Sequence, residues 1–103
     1  MDPTAPGDIM TELFQRLVMR ETNMALMFLG RIPHPETEET LRDLTAAKDY
    51  VDQLEMLEVR TRGNLSDAEE ALLRKSIAVT RTALAAEMEA DGVTLDDGKT
   101  ATS

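Results

Sequence analysis

Between two long stretches of helical apolar periodicity lies a break of only about three residues. Arg60 and Arg62 place cations at the end of the first stretch, where the helix dipole is negative, and Gly63-Asn64 follows. Ser66 and Glu69, three positions apart, have the capping-box spacing that opens the next helix. So short a connection folds the second helix back along the first, so the segments on either side form an antiparallel hairpin.

The stretch before the break opens at Asp43, a suitable N-cap. It repeats Leu44, Ala47, Val51, Leu54, Leu57 and Thr61 at steps of three or four, which predicts a helix over 43–62. The stretch after it runs from Asp67 to about Ala90, with Leu73, Ile77, Thr80, Leu84 and Met88 on one face. Leu72, Val79, Ala83 and Ala86 lie beside that face, and the many alanines allow close helix approach. Upstream, Leu13, Leu17, Met24 and Phe28 recur at helical spacing, and Met10, Phe14 and Met27 widen the stripe. Asp8 is the expected N-cap and Gly30 the expected C-cap, giving a helix over about 8–29 whose stripe should face the hairpin.

Arg31 to Thr37 contains Pro33 and Pro35 and cannot be helix interior, because each proline removes a donor and pushes its predecessor to an extended conformation. It reads as an ordered connector. The expected organisation is a flexible arm over 1–7, one helical domain over 8–91 and a disordered tail over 92–103. No internal repeat, sustained heptad pattern or strand-like alternation occurs. The fold class is therefore all-α, with three principal helices and helix 1 packed on the hairpin, in an expected oligomeric bundle.

Composition bounds the function. The chain has 103 residues, with 11 basic and 20 acidic side chains, so its net charge of −9 argues against nucleic acid and anionic membrane surfaces as partners. There is no cysteine, hence no disulfide, thiolate metal site or cysteine nucleophile, and the single histidine leaves little room for histidine chemistry. No apolar run reaches the length of a membrane span and the N-terminus lacks the pattern of a signal peptide, so a cytoplasmic protein without membrane insertion is expected.

Residues 24–29 are apolar at all six positions and so face every direction around the helix. Met24, Met27, Phe28 and Leu29, with Ile32 and Pro33 of the connector, form the candidate surface for self-association or partner docking. The alternative is that the connector folds back and the core wraps this end. His34, flanked by prolines, reads as a surface or backbone-bonding residue. A metal or small-ligand site built in an oligomer from His34, Glu36 and the helix 2 carboxylates is a second reading. Residues 36–58 hold eight acids against Arg42 and Lys48, and Asp49, Asp52 and Glu55 share one helical flank, which reads first as a solvated face. Arg60, Arg62 and Ser66 beside a helix N-terminus could hold a small anion, although Asp67, Glu69 and Glu70 already place negative charge there. No phosphate-binding glycine loop, nucleophile elbow or Glu-x-x-His pair occurs, so no catalytic residue, metal ligand or cofactor is assigned.

Three segments together resemble a family of short bacterial proteins, domain of unknown function 1844. They are Leu29-Gly30, the Pro33 to Thr37 connector, and Leu54 to Leu57 followed by Thr61 to Leu65 and Glu69-Glu70. The resemblance covers about residues 24 to 75 and is specific in order and spacing. The last helix here is richer in alanine than is usual in that family. The resemblance implies a small cytoplasmic helical protein and carries no activity, substrate or catalytic residue. The expected function is non-enzymatic: a small acidic assembly or adaptor protein, a homo-oligomer or the docking site of a protein partner.

Overall fold

The computed structural model of the chain describes residues 6–94, with side chains from residue 9 onward. Three helices follow one another: α1 Pro6–Phe28, α2 Leu44–Thr61 and α3 Asp67–Asp91. All three pack against one another, and the described residues contain no strand. The all-α class, with three helices and helix 1 packed on the hairpin, stands.

Local chemistry sets the helix ends. The Asp43 carboxylate accepts from the Ala46 amide at 3.0 Å and starts α2. Ser66 and Glu69 form the full capping box at the start of α3, with the Ser66 amide donating to the Glu69 carboxylate at 2.7 Å. Thr61 to Asn64 makes a type II turn: Arg62 has φ −54° and ψ 127°, Gly63 has φ +84°, and the Asn64 amide donates to the Thr61 carbonyl at 2.9 Å. At the end of α1, Gly30 (φ +75°) allows Arg31 to donate to the Leu26 carbonyl and Gly30 to that of Met27, the paired bonds of a Schellman motif. α1 starts at Pro6, two residues before the expected cap Asp8, because the fixed φ of proline suits the first helical position. The arm and the tail lie outside the described residues except for 6–7 and 92–94.

Helix order is up-down-up. Thr11 near the start of α1 bonds Glu69 near the start of α3, and Arg31 just past α1 bonds Glu87 near the end of α3, so these two helices run parallel with α2 opposed to both. The core has two adjoining parts. Val18, Leu54, Leu73 and Ile77 fill the end near the hairpin turn; Ala25, Leu29, Leu44, Val51 and Leu84 fill the other. Between them lie the buried hydroxyls of Thr22 and Thr80, which donate to the Val18 and Ser76 carbonyls of their own helices at 2.7 and 2.8 Å. Each polar group is thus satisfied without a cross-helix partner.

α2 and α3 bury the faces read from the sequence. α1 does not. Its core face is Val18, Thr22, Ala25 and Leu29, whereas Leu13 and Leu17 are exposed and Met24 and Phe28 only half-buried. At 100° per residue the core face is turned from the expected stripe by about a third of a revolution. The reason is steric: valine, threonine and alanine let α1 seat closely in the hairpin groove, which a row of leucines would hold apart.

Two glycine substitutions separate conformational strain from crowding. A Cβ at Gly63 would meet nothing within 4 Å, so Gly63→Ala should lower the free energy of urea unfolding only by the left-handed strain, about 1 kcal/mol. At Gly30 the Cβ would lie 3.2 Å from the Leu41 carbonyl oxygen, so Gly30→Ala should cost clearly more. Equal losses would show that the approach of the connector to Gly30 is unimportant.

Candidate interaction surface

The end of α1 is enclosed by its own chain. Met27 is 5% exposed and Leu29 1%, so neither can form the contact of a docking face, contrary to the sequence reading. Phe28 is half-buried and stacks on Tyr50 of α2 with ring centroids 6.0 Å apart. Met24 and Ile32 are half-buried, and of the six proposed contact residues Pro33 alone is exposed. The cause is the return of the connector: the Asp43 amide donates to the Phe28 carbonyl at 2.8 Å, which brings Leu44 and the start of α2 over the α1 terminus.

The connector itself is organised around His34. Its Nδ1 accepts from the amides of Glu36 and Thr37 at 3.1 and 3.3 Å, its carbonyl accepts from Glu38, and its own amide donates to Glu39 at 2.8 Å. The imidazole replaces the missing acceptor of a tight turn, much as Asn or Asp does elsewhere. That engages the Nδ1 lone pair and makes His34 a structural residue in the monomer. Glu36 is exposed, and among the described residues no group of three or more His, Asp or Glu side chains gathers as metal ligands would. On α2, Asp52 pairs with Lys48 at 2.8 Å, Glu58 lies 3.7 Å from Arg62, and Glu55 pairs with Arg81 of α3.

The anion reading of Arg60, Arg62 and Ser66 meets the capping box. The Ser66 hydroxyl accepts from the Glu69 amide at 3.2 Å, while the Glu69 carboxylate occupies the place an anion would take. The Ser66 amide and the Thr11 hydroxyl hold that carboxyl below the usual range. A cavity of about 40 Å³ at the turn is lined by Glu58, Arg62, Glu70 and Arg74, and Arg74 is paired to Glu70 at 2.7 Å. Its charges are balanced, so nothing there favours an anion.

The connector is fastened at both ends to the end of α3. Arg31 reaches Glu87 at 3.1 Å; Arg42 reaches Glu87 at 2.8 Å, Asp91 at 2.5 Å and the Glu87 carbonyl at 3.3 Å. The guanidinium therefore meets two carboxylates at the negative end of the α3 dipole. Its hydrogen bonds are the main cause that lowers the pKa of both Glu87 and Asp91. This clasp joins groups 45 and 49 positions apart and has no local sequence signal.

An unpartnered apolar face lies elsewhere, on the N-terminal two-thirds of α1. Met10 is 67% exposed, Leu13 52%, Ile9 41% and Leu17 36%. Met10, Leu13 and Leu17 belong to the stripe that the sequence assigned to the core. A second apolar depression runs between the C-terminal part of α1 and α3, with Leu26 and Val79 above small residues at 78, 82 and 86.

The family described as Domain of unknown function (DUF1844) matches the chain over residues 11–86. The chain belongs to that family. The match takes in all of α2 and the connector and most of α1 and α3, wider than the motif-bearing segment at 24–75. No curated protein and no solved structure matches it. Among the described residues of this DUF1844 protein no helix is long and apolar enough to cross a membrane.

The clasp makes stability depend on pH in a defined direction. Glu87 and Asp91 titrate lower folded than unfolded, so their contribution is complete above the ordinary carboxylate range and is lost as pH falls through the depressed folded values. Arg42→Met, which keeps the aliphatic stem, should lower the urea midpoint at pH 7. The gap to wild type should close in acid, below about pH 4. A gap that stays constant from neutral pH into acid would mean that Arg42 acts through packing.

Proposed function

We propose that this DUF1844 protein is a non-enzymatic assembly or adaptor protein that binds protein through the exposed face of α1 formed by Ile9, Met10, Leu13 and Leu17. The observation that carries this reading is the placement of four large apolar side chains on one face of a helix whose opposite face is already committed to the core. Leaving them in water forgoes roughly 1.5–3 kcal/mol for each side chain that a partner could fully bury, before the costs of association are subtracted. The adaptable methionine in the patch suits a contact surface. The acidic remainder of the surface, with a net charge of −9 for the whole chain, favours solubility and sets the electrostatic terms on which partners approach.

The surface differs from the one the sequence pointed to, at Met24 to Pro33, because the connector uses that end. The metal or ligand reading through His34 gains no support from the side-chain arrangement, where Nδ1 is occupied by two amides.

A photo-crosslinking side chain in place of Leu13 tests the proposal in the cells of origin, with the same side chain at exposed Asp49 of α2 as control. Discrete protein adducts are expected at position 13 alone, and Leu17→Glu should abolish them while circular dichroism retains the helical signal. Equal adduct patterns at both positions, or none at position 13, would overturn the reading.

A further inference from the structure

His34 is the single histidine of the chain, and histidine is the side chain whose ordinary change of charge falls between about pH 5 and 8. Its place in the connector makes that proton matter. The Nδ1 atom accepts from the amides of Glu36 and Thr37 at 3.1 and 3.3 Å, which requires a neutral ring with its proton on Nε2. A doubly protonated ring has donors only. Its Nδ1–H would face two N–H groups, so the imidazole must rotate away and leave both amides to water. The bonds that remain are the His34 carbonyl accepting from Glu38 at 2.9 Å, the His34 amide donating to Glu39 at 2.8 Å and the Thr37 hydroxyl accepting from Glu39 at 3.3 Å. Residues 35–40 are all exposed, so water competes for each of these bonds. Glu38 also stands at φ +58°, in the left-handed region that a non-glycine residue seldom adopts, so the closed turn carries a conformational cost that its bonds offset.

We propose that His34 is a pH-sensitive latch: neutral, it closes the turn from His34 to Glu39; protonated, it releases residues 36–40 while the three-helix bundle stays folded. The closed turn binds one proton fewer than the open one, so closure is complete above the histidine range and is lost as pH falls through it. The charges of the connector favour release. Glu36, Glu38 and Glu39 are exposed and within five positions of His34, so an imidazolium that swings out has carboxylates within reach. The elements against which the connector packs offer it no unengaged charge. On α3, Glu87 and Asp91 are held by Arg31 and Arg42; on α2, the Asp43 carboxylate accepts from Ala46; and the last turn of α1, residues 24–28, is wholly apolar. The same clasp keeps both ends of the connector fastened when its middle opens. Its carboxyls titrate below the usual carboxylate range and so stay ionised where an imidazole gains its proton. The chain thus has two connector states on one bundle, and in the open one an acidic segment presents free backbone donors and acceptors.

Nuclear magnetic resonance on the full chain tests this, with backbone order parameters measured at about pH 7.5 and about pH 5 and the imidazole ring signals followed between them. Residues 36–40 should have order parameters near about 0.85 at the higher pH and below about 0.6 at the lower, changing in step with ring protonation, while the three helices keep theirs. Two substitutions separate the proton from the acceptor. His34→Asn supplies an acceptor that takes no proton, so its connector should stay ordered at both pH values; His34→Ala supplies none and should be mobile at both. The proposal is overturned by a connector whose order does not change while the ring titrates, or by a ring that does not titrate in this window. It is equally overturned if His34→Asn loosens in acid as the natural chain does, which would assign the change to the carboxylates, or if His34→Ala stays ordered at neutral pH.

Discussion

Three helix ends meet at two consecutive residues. Asp43 caps α2 with its carboxylate and donates its amide to the last carbonyl of α1, while Arg42 immediately before it grips Glu87, Asp91 and the Glu87 carbonyl at the end of α3. Without that junction the long connector would leave α1 free to dock on the hairpin in several ways. With it, the start of α2, the end of α1 and the end of α3 lie within a few ångströms of one another. The remaining freedom of α1 is a rotation about its own axis and a tilt. At the opposite end of the bundle, Phe14 and Val18 pack with Leu73 and Leu65 and limit the tilt.

Once the ends are fixed, the choice of α1 face follows from packing. The groove of an α2–α3 hairpin lined by Val51, Leu54, Leu73, Ile77 and Leu84 is already filled from two sides by large side chains. A third helix enters it best behind small residues, and Val18, Thr22 and Ala25 provide them. Their seating turns Leu13 and Leu17 outward. The exposed apolar face is therefore a consequence of how the core closes, and the same rotation that satisfies the bundle creates the surface to which we assign function. The buried threonine hydroxyls fit this account: bonded back to their own helices, they occupy the middle of the core without requiring exact positions from a neighbour.

The sequence placed much of the framework correctly, for a common reason. Asp43, Ser66 with Glu69, Gly30 and Gly63 act within a few positions of themselves, so their roles can be read from spacing. The faces of α2 and α3 were legible because each helix has a single apolar sector. α1 carries apolar residues from Met10 and Leu13 around through Phe14 and Val18 to Ala25, a sector wide enough to hold two faces, and periodicity alone gives no preference between them. Side-chain size by itself points to the larger residues as the core, whereas close packing favours the smaller. In the sequence Met27 and Leu29 look like an exposed apolar end, because nothing local says that Leu44 and the returning connector cover them. The partners of His34 are not legible in the sequence, since an imidazole accepting two amides depends on the turn that those amides make.

The sequence by itself determined the three helices, the N-caps of α2 and α3 and the C-cap of α1, the short turn that makes α2 and α3 an antiparallel pair, and the motifs shared with the DUF1844 family. Each of these is written in residues fewer than about five apart, the range over which caps and turns act. Tertiary structure alone decided which side of α1 is inside, that the connector closes over the end of α1, and that Arg42 joins carboxylates 45 and 49 residues away. Periodicity fixes the direction of a side chain only relative to its own helix axis. What that direction meets is set by the shape of the groove and by charges brought together from distant parts of the chain.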